Sequence, residues 1–371
     1  MSKGQNIRCI CINCYSTIDA GADLIGSYQI CPECSHKIFI PKTTLKPEDT
    51  VGNYEVDKLI GIGGMGEVYH VKSLLDQKDY ALKIIRPSII NDEEIEGFKN
   101  EIRMNLRVVH NNFIKAFESG TDDKGRLYLV MEFVQGHTLE DQIVQEGRFD
   151  EDQALSISLT VAKALQSAWQ EWQIIHRDLK PSNILITKAN IVKIMDLGVS
   201  VNKHENNGET HIIGTPFYMS PEQIETPSEI DQRSDIYSLG ATLYELITGT
   251  EPYKGRNSDE IFDNVLKVTP KHPAHVRPGV SQATCNLISH FMQKKPKDRP
   301  QTWEEAIQMI ERALNRYEGE ENENFKSYHQ PSFAYSMKDD PKALLSIVSV
   351  LLLTITIFIV FAYWLVNSQL P

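Results

Sequence analysis

Cysteine all but disappears after residue 34. The 371-residue chain has six, and five of them stand in its first 34 positions. So clustered a set cannot build a disulfide framework for the whole chain; it looks like a metal site. Positive charge is also short. Against 50 Asp and Glu there are 38 Lys and Arg, so the net charge is 38 − 50 = −12. A protein that mainly coats nucleic acid needs a basic face for the phosphates, and this composition is a poor fit to that class. Residues Met1–Asn6 hold no apolar stretch, so no secretory leader is expected. No internal repeat of 20–50 residues is seen. With 41% hydrophobic and 24% charged residues, wholesale disorder is excluded, and the length has room for two or three domains. Long apolar runs are absent, with one exception.

That exception runs from Ala343 to Val366, 24 residues without a charge. As a helix it would be about 36 Å long, enough for a hydrocarbon core of about 30 Å. Tyr363 and Trp364 stand at its far end, where aromatic rings favour the membrane interface. A buried core helix is the competing reading. The length, the lack of charge and the terminal position argue against it. Lys338 and Lys342 precede the run and no Lys or Arg follows it. The positive-inside tendency therefore puts the N-terminal bulk in the cytoplasm. The expectation is a single-pass cell-membrane protein, with residues 343–366 as a transmembrane helix. Residues 367–371 form an extracytoplasmic tail too short for a sensor domain.

Four zones precede the span. Residues 1–42 are Cys-rich and β-prone, and residues 43–53 read as a polar linker with Pro and Gly. Residues 54–316 alternate strand and helix patterns, and residues 317–342 read as a flexible polar tether. Within the large zone, strand-like runs lie at 54–62, 67–72, 80–86 and 126–133, interrupted by a helical stretch at 92–108. Helical patterns then take over, at 150–172, 234–248, 259–266, 283–294 and 302–318. A β-rich lobe (54–134) followed by a helical lobe (135–316) predicts an α+β fold of two lobes with a cleft between them.

Cys11 and Cys14, then sixteen residues, then Cys31 and Cys34 make two pairs with two residues inside each. Zn²⁺ takes four thiolates tetrahedrally, and a two-residue gap lets one tight turn present two sulfurs. A metal also answers a size problem, since about 40 residues bury too little apolar surface to fold unaided. Redox pairs or plain thiols are the bland alternative. Cys9, one residue from Cys11, suits a knuckle less well and is read as a non-ligand; His36 is read as a surface residue. The segment resembles zinc ribbons, with Zn²⁺ in a structural role. Its four basic and three acidic residues sum to 4 − 3 = +1. That is no footprint for nucleic acid, and a protein-contact or regulatory module is the better expectation.

Gly61, Gly63 and Gly66 form a G-x-G-x-x-G run. Glycines let backbone N–H groups approach phosphates closely. Dinucleotide-binding folds use the same pattern, but there a helix opens after the third glycine. Here Glu67–Val71 reads as a strand. Seventeen residues past Gly66 comes Lys83, on a β-type run that could bring its ammonium to phosphate oxygens.

His176-Arg177-Asp178-Leu179-Lys180-Pro181-Ser182-Asn183 follows in the helical half, then Asp196-Leu197-Gly198, then Ser220-Pro221-Glu222. With these motifs in this order the chain resembles bacterial eukaryotic-like Ser/Thr protein kinases, over about residues 54–316. The resemblance implies a two-lobed kinase fold and the cofactors ATP and Mg²⁺ (or Mn²⁺). Phosphoryl transfer asks for positioning and charge neutralisation more than for covalent chemistry. Asp178 would accept or orient the substrate proton and Lys180 would neutralise the transferring group. Asn183 and Asp196 would hold the Mg²⁺ with hard oxygens. Ile60, Gly61, Ile62, Gly63, Gly64, Met65, Gly66 and Val68 would form the nucleotide loop. Lys83 would clamp the α- and β-phosphates and pair with Glu101. Met131, Glu132 and Val134 would mark the hinge, and Ala81, Val68 and Leu185 would enclose the adenine. Asp235 would hold the catalytic loop's backbone, and Arg299 would pair with Glu222.

Two departures stand out. Leu197 replaces the usual phenylalanine and keeps an apolar packing residue. Asn105 stands where the family usually places an apolar residue, so either the helix position is weakened or Leu106 compensates. Lys180-Pro181 and Gly214–Tyr218 point to Ser and Thr substrates, with the Thr215 hydroxyl contacting Asp178. Arg177 would pair with a phosphate on the polar loop 200–213, where Thr210 is the candidate and Ser200 the alternative. Expected partners are Ser/Thr-bearing protein substrates, the membrane and, as a candidate, a second copy of the chain. A pseudokinase scaffold is the main alternative. A small-molecule kinase is disfavoured by the peptide-positioning motifs.

Overall fold

In the computed structural model two short hairpins come first. They are β1 (Asn6–Ile10) with β2 (Thr17–Gly21) and β3 (Tyr28–Ile30) with β4 (Lys37–Phe39). Residues 6–11, 17–21, 24, 27–39, 43–62, 66–85, 92–197, 202–204, 210–212 and 216–324 are described. The chain divides into two compact units, Met1–Glu318 and Gly319–Pro371. The fold discussed below lies in the first; in the second, residues 319–324 are helical.

A six-stranded antiparallel sheet follows the hairpins. It comprises β5 (Thr50–Val51), β6 (Tyr54–Ile62), β7 (Gly66–Ser73), β8 (Asp79–Ile85), β9 (Ala116–Thr121) and β10 (Leu127–Glu132), in the order β5-β6-β7-β8-β10-β9. Helix α1 (Asp92–Arg107) connects β8 to β9. Side chains alternate between the faces of a strand, and β8 shows what each face does. Leu82 and Ile84 join Tyr54, Val56, Tyr69, Val71 and Val130 in one cluster. Ala81 and Ile85 join Leu129, Met131 and, from α1, Phe98 and Ile102 in the other. Both faces are covered, so β8 reads as a nearly continuous apolar run.

Residues 43–53 depart from the expected linker. Leu45 and Val51 are buried in the cluster on the face away from α1, and β5 pairs with the start of β6. The polar composition concealed two apolar anchors, and Gly52-Asn53 was an overlooked two-residue hairpin signal. Gly52 has φ +55°, which its residue type permits at no steric cost.

The second lobe opens with β11 (Gly136–Thr138), α2 (Leu139–Glu146) and α3 (Glu151–Trp172). The strands β12 (Ile184–Thr187) and β13 (Val192–Ile194) pair beside β11. Two further strands, β14 (Asn202–His204) and β15 (Thr210–Ile212), pair with each other, so part of the polar loop expected at 200–213 is a hairpin. The helices α4 (Pro221–Glu225), α5 (Gln232–Thr248), α6 (Ser258–Lys267), α7 (Pro273–Val276), α8 (Gln282–Phe291) and α9 (Trp303–Asn324) complete the lobe. Helix α5 is its pillar, for every residue from Ser234 to Thr248 is buried. A helix apolar nearly all round belongs inside a domain. Its hydroxyls are satisfied locally: Ser238 donates to the Tyr218 carbonyl and Thr242 to the Ser238 carbonyl, each at 2.8 Å. At Gly240 the α8 helix comes so close that a Cβ would lie 2.6 Å from that of Phe291.

The tether expected from residue 317 begins as helix, since α9 runs on to Asn324 through Glu-rich sequence of good helix propensity. Among the described residues no helix is long and apolar enough to cross a membrane. The apolar run 343–366 and the tail 367–371 lie outside the described residues.

Candidate active site

The strand β8 delivers Lys83 to the sheet face that meets α1. There its Nζ lies 2.6 Å from Glu101 Oε1, on α1, and 2.8 Å from Asp196 Oδ1, just after β13. Burial works against the ammonium, but Asp196 and Glu101 more than offset it and hold Lys83 above the usual lysine range. Burial pushes the Glu101 carboxyl up despite Lys83, whereas Lys83 and Lys180 outweigh burial and hold Asp196 below the usual carboxylate range. Of the two acids, Asp196 carries the firmer negative charge. Its backbone is left-handed, with φ +53°, and the next residue, Leu197, is buried in the second lobe's core.

A second group stands on the loop after α3. Lys180 Nζ lies 2.8 Å from Asp178 Oδ2. The Asn183 amide donates to Asp178 twice, to its carbonyl at 2.7 Å and to Oδ2 at 2.9 Å. From α5, the buried Asp235 accepts the backbone N–H of His176 at 2.6 Å and of Arg177 at 2.8 Å. Those bonds hold Arg177 at φ +66°, a costly conformation for a non-glycine residue. Gln223 donates to the Arg177 carbonyl at 2.8 Å. Sequence reasoning overlooked that contact, although Ser220-x-x-Gln223 is a capping-box pattern.

The other expected residues lie around these groups. Ile60, Gly61 and Ile62 end β6, and Gly66 opens β7. A Cβ on Gly66 would sit 2.5 Å from the Ile84 carbonyl oxygen, so the strand spacing there requires glycine. Val68 packs with Ala81 and Met131 on the α1 side of the sheet. Glu132 ends β10 and receives Lys193 Nζ at 2.8 Å, another contact not foreseen. Val134 lies in the connection from β10 to β11, and Leu185 on β12 opposite Thr138. Thr210 opens β15 opposite His204. Gly63, Gly64, Met65 and Thr215 lie outside the described residues, as do Ser200 and Cys14.

Asn105 is buried, and its amide donates to the Glu101 carbonyl one turn earlier at 2.9 Å. Leu106 does not stand in for it, being 38% exposed and turned to solvent by the helical period.

The hard oxygens of Asp196 and of the Asn183 side chain, whose hydrogens are spent on Asp178, suit Mg²⁺ or Mn²⁺. The cysteines suit a softer ion. The Sγ atoms of Cys11, Cys31 and Cys34 lie within 4.8 Å of one another, those of Cys11 and Cys34 at 3.6 Å. Zn–S bonds of about 2.3 Å in a tetrahedron place sulfurs about 3.8 Å apart. The turn presenting Cys31 and Cys34 is closed by two backbone bonds, Cys31 N–H to His36 and Ser35 N–H to Cys31, each at 2.9 Å.

The family model for the protein kinase domain matches residues 54–310. A probable serine/threonine-protein kinase of Clostridium perfringens is 35% identical over 277 residues, covering 71% of this chain and 38% of the relative. Serine/threonine-protein kinase PknB of Mycobacterium tuberculosis is 33% identical over 264 residues, covering 69% and 42%. The chain thus spans about two fifths of the length of these curated relatives. The crystal structure of the Mycobacterium tuberculosis PknI kinase domain aligns with a TM-score of 0.59 at 24% identity, over 73% of this chain and 100% of that one. That likeness concerns the fold.

Proposed function

The chain belongs to the protein kinase family, among its bacterial serine/threonine members, and we propose that it transfers the γ-phosphoryl of ATP to Ser and Thr hydroxyls of proteins, itself included. One observation carries this reading: Lys83 bridges Glu101 and Asp196, while Lys180 and Asn183 are both tied to Asp178. Lys83 orients the α- and β-phosphates, and Glu101 holds Lys83 in place. Asp178 orients the substrate hydroxyl and takes its proton. Lys180 neutralises charge on the group in transit. Asn183 and Asp196 hold the metal, which when bound supplies charge neutralisation to the phosphates. The loop Ile60–Gly66, with Val68, Ala81, Met131, Glu132, Val134 and Leu185, forms the nucleotide site.

The finer features belong to the same proposal. Residues 1–42 bind one structural Zn²⁺ through Cys11, Cys14, Cys31 and Cys34. Residues 343–366 anchor the protein as a single membrane span with the kinase domain in the cytoplasm, supported by the uncharged run and by Lys338 and Lys342 before it. A phosphate on Thr210 draws toward Arg177, and Thr215 contacts Asp178. A weakly active scaffold is the second reading, favoured by the buried Asn105. Incubating the full chain with labelled ATP and Mg²⁺ tests the assignment. Asp178→Asn and Lys83→Met should each lose phosphoryl transfer by about a hundredfold or more while the Asn variant still binds nucleotide. Wild-type rates in both would end the kinase reading.

A further inference from the structure

We infer that the N-terminal cysteine module grips the nucleotide loop from behind, so that metal at its cysteines sets how tightly the kinase domain holds nucleotide. This rests on the zinc reading above. The nucleotide loop hangs between two arms, the end of β6 and the start of β7, and Ile62 pairs directly with Glu67 across them. Both residues belong to the sheet face away from α1. Glu67 pairs with Ile84, which lies in the cluster on that face, while its neighbour Val68 turns to the α1 side with Ala81 and Met131.

Each arm is held by the N-terminal segment. On β6, Ile62 is buried in a small cluster with Cys11, Cys31 and Ile38, and Leu24, Cys34 and Leu59 pack against it. Two of the three clustered sulfur residues therefore share a buried cluster with the side chain that closes one arm of the loop. On β7, Glu67 is fully buried, and its Oε2 accepts the Thr44 N–H at 2.7 Å and the Tyr69 hydroxyl. The Tyr69 oxygen in turn accepts the Leu45 N–H at 3.0 Å. The chain leaving the cysteine module is thus pinned one residue past the last loop glycine.

The grip is conditional for two physical reasons. Four short strands cannot bury enough apolar surface to persist alone, so ion binding supplies the module's folding energy. Among the described residues the module's core is Cys11, Cys31 and Ile38 with Ile62, packed by Leu24, Cys34 and Leu59, and losing the ion dissolves the cover over Ile62. Glu67 makes release easy. Its Oε1 is buried with no hydrogen-bond partner among the described residues, so lifting the cover returns a desolvated carboxylate oxygen to water. The β6 arm then loses its rear cover, and that arm must be ordered at the expense of nucleotide binding.

The test uses the full chain in detergent. Metal content is measured by elemental analysis and affinity for a fluorescent ADP analogue by titration, with excess Mg²⁺ throughout. A chelator that takes Zn²⁺ and leaves Mg²⁺ should strip about one ion per chain and weaken nucleotide binding at least about fivefold, with Zn²⁺ restoring both. Ile38→Ala keeps every cysteine but thins the contact with Ile62; it should retain Zn²⁺ and lose most of the coupling. Zinc bound with nucleotide affinity unchanged by its removal overturns the inference and leaves the zinc reading standing. No zinc bound to the wild type overturns both. If Ile38→Ala takes up no metal, Glu67→Gln serves as the uncoupling variant, and full coupling in it overturns the grip on β7.

Discussion

Arg299 is the residue whose loss the second lobe should tolerate least. Its guanidinium forks onto Glu222, Nη1 to Oε1 at 2.6 Å and Nη2 to Oε2 at 2.7 Å, with the Arg299 side chain wholly buried. The remaining donors are spent on backbone carbonyls: Gln293 at 2.7 Å, Arg233 at 2.9 Å and Lys294 at 2.9 Å. Although burial pushes it up, this fork holds the Glu222 carboxyl below the usual range. Arg299→Ala therefore leaves a buried carboxylate without its counter-charge, held only by the Ser234 hydroxyl at 2.6 Å, and takes a donor from each of three carbonyls. Breaking a buried pair from one side costs about 3–5 kcal/mol. Over a domain of this size that lowers the melting temperature by roughly 6–15 °C. Arg299→Lys should lose less, because an ammonium keeps the charge but cannot fork. In the double variant Glu222→Gln, Arg299→Met the stranded charge is gone, and much of the loss should return. Thermal unfolding of the wild type, Glu222→Gln, Arg299→Met and the double variant, read as a double-mutant cycle, measures the coupling. A fall under about 2 °C in Arg299→Ala, or no recovery in the double variant, would refute the view that the stranded Glu222 charge dominates.

Three further outcomes follow from other sites. Glu245, buried on α5 and bonded by the Tyr218 hydroxyl, is pushed up to about 8 from 4.5 by burial, with Glu251 and Glu140 adding to it. Its folded value is raised, so its contribution is fullest below 4.5 and is lost as pH rises through about 8. Between about pH 6 and pH 9 this group alone should remove roughly 2–3 kcal/mol of stability, and Glu245→Gln should flatten that part of the denaturation profile. Thr210→Ala should lower activity severalfold and remove the matching phosphopeptide in mass spectrometry; full activity in the variant would discard Thr210, and a phosphate on Ser200 would move the site. Cys31→Ser should abolish Zn²⁺ binding in the full chain while Cys9→Ser keeps it, and zinc lost from Cys9→Ser would mean a different ligand set.

The parts of the fold legible in sequence were those written in periodicity. The run at 54–62 became β6 with the same bounds, and 92–108 became α1 within a residue. Short strands such as β11 and β13, three residues each, carry too few alternations to be read. The capping box that starts α2, Thr138 to Asp141, was visible and passed over. At the site, motif residues announced themselves by type and order. Contacts between distant segments did not: nothing local in Thr44 or Leu45 says that their amides meet Glu67 and Tyr69. Such pairings are tertiary, and a one-dimensional pattern cannot contain them.

Asn105 shows how a residue can break the expected pattern without breaking the fold. A buried amide normally costs stability unless it is bonded. Here Glu101 supplies the acceptor from its own backbone, one helical turn away, and the same residue's side chain pairs with Lys83. The polar substitution is therefore satisfied within α1 instead of across to the second lobe. An apolar side chain at that point would hold α1 by packing between elements, whereas the Asn105 bond lies wholly within α1. The Asn105 bond and the Glu101 carboxylate paired with Lys83 thus share one residue of α1, while Asp196 is the one member of the Lys83 cluster contributed by the second lobe.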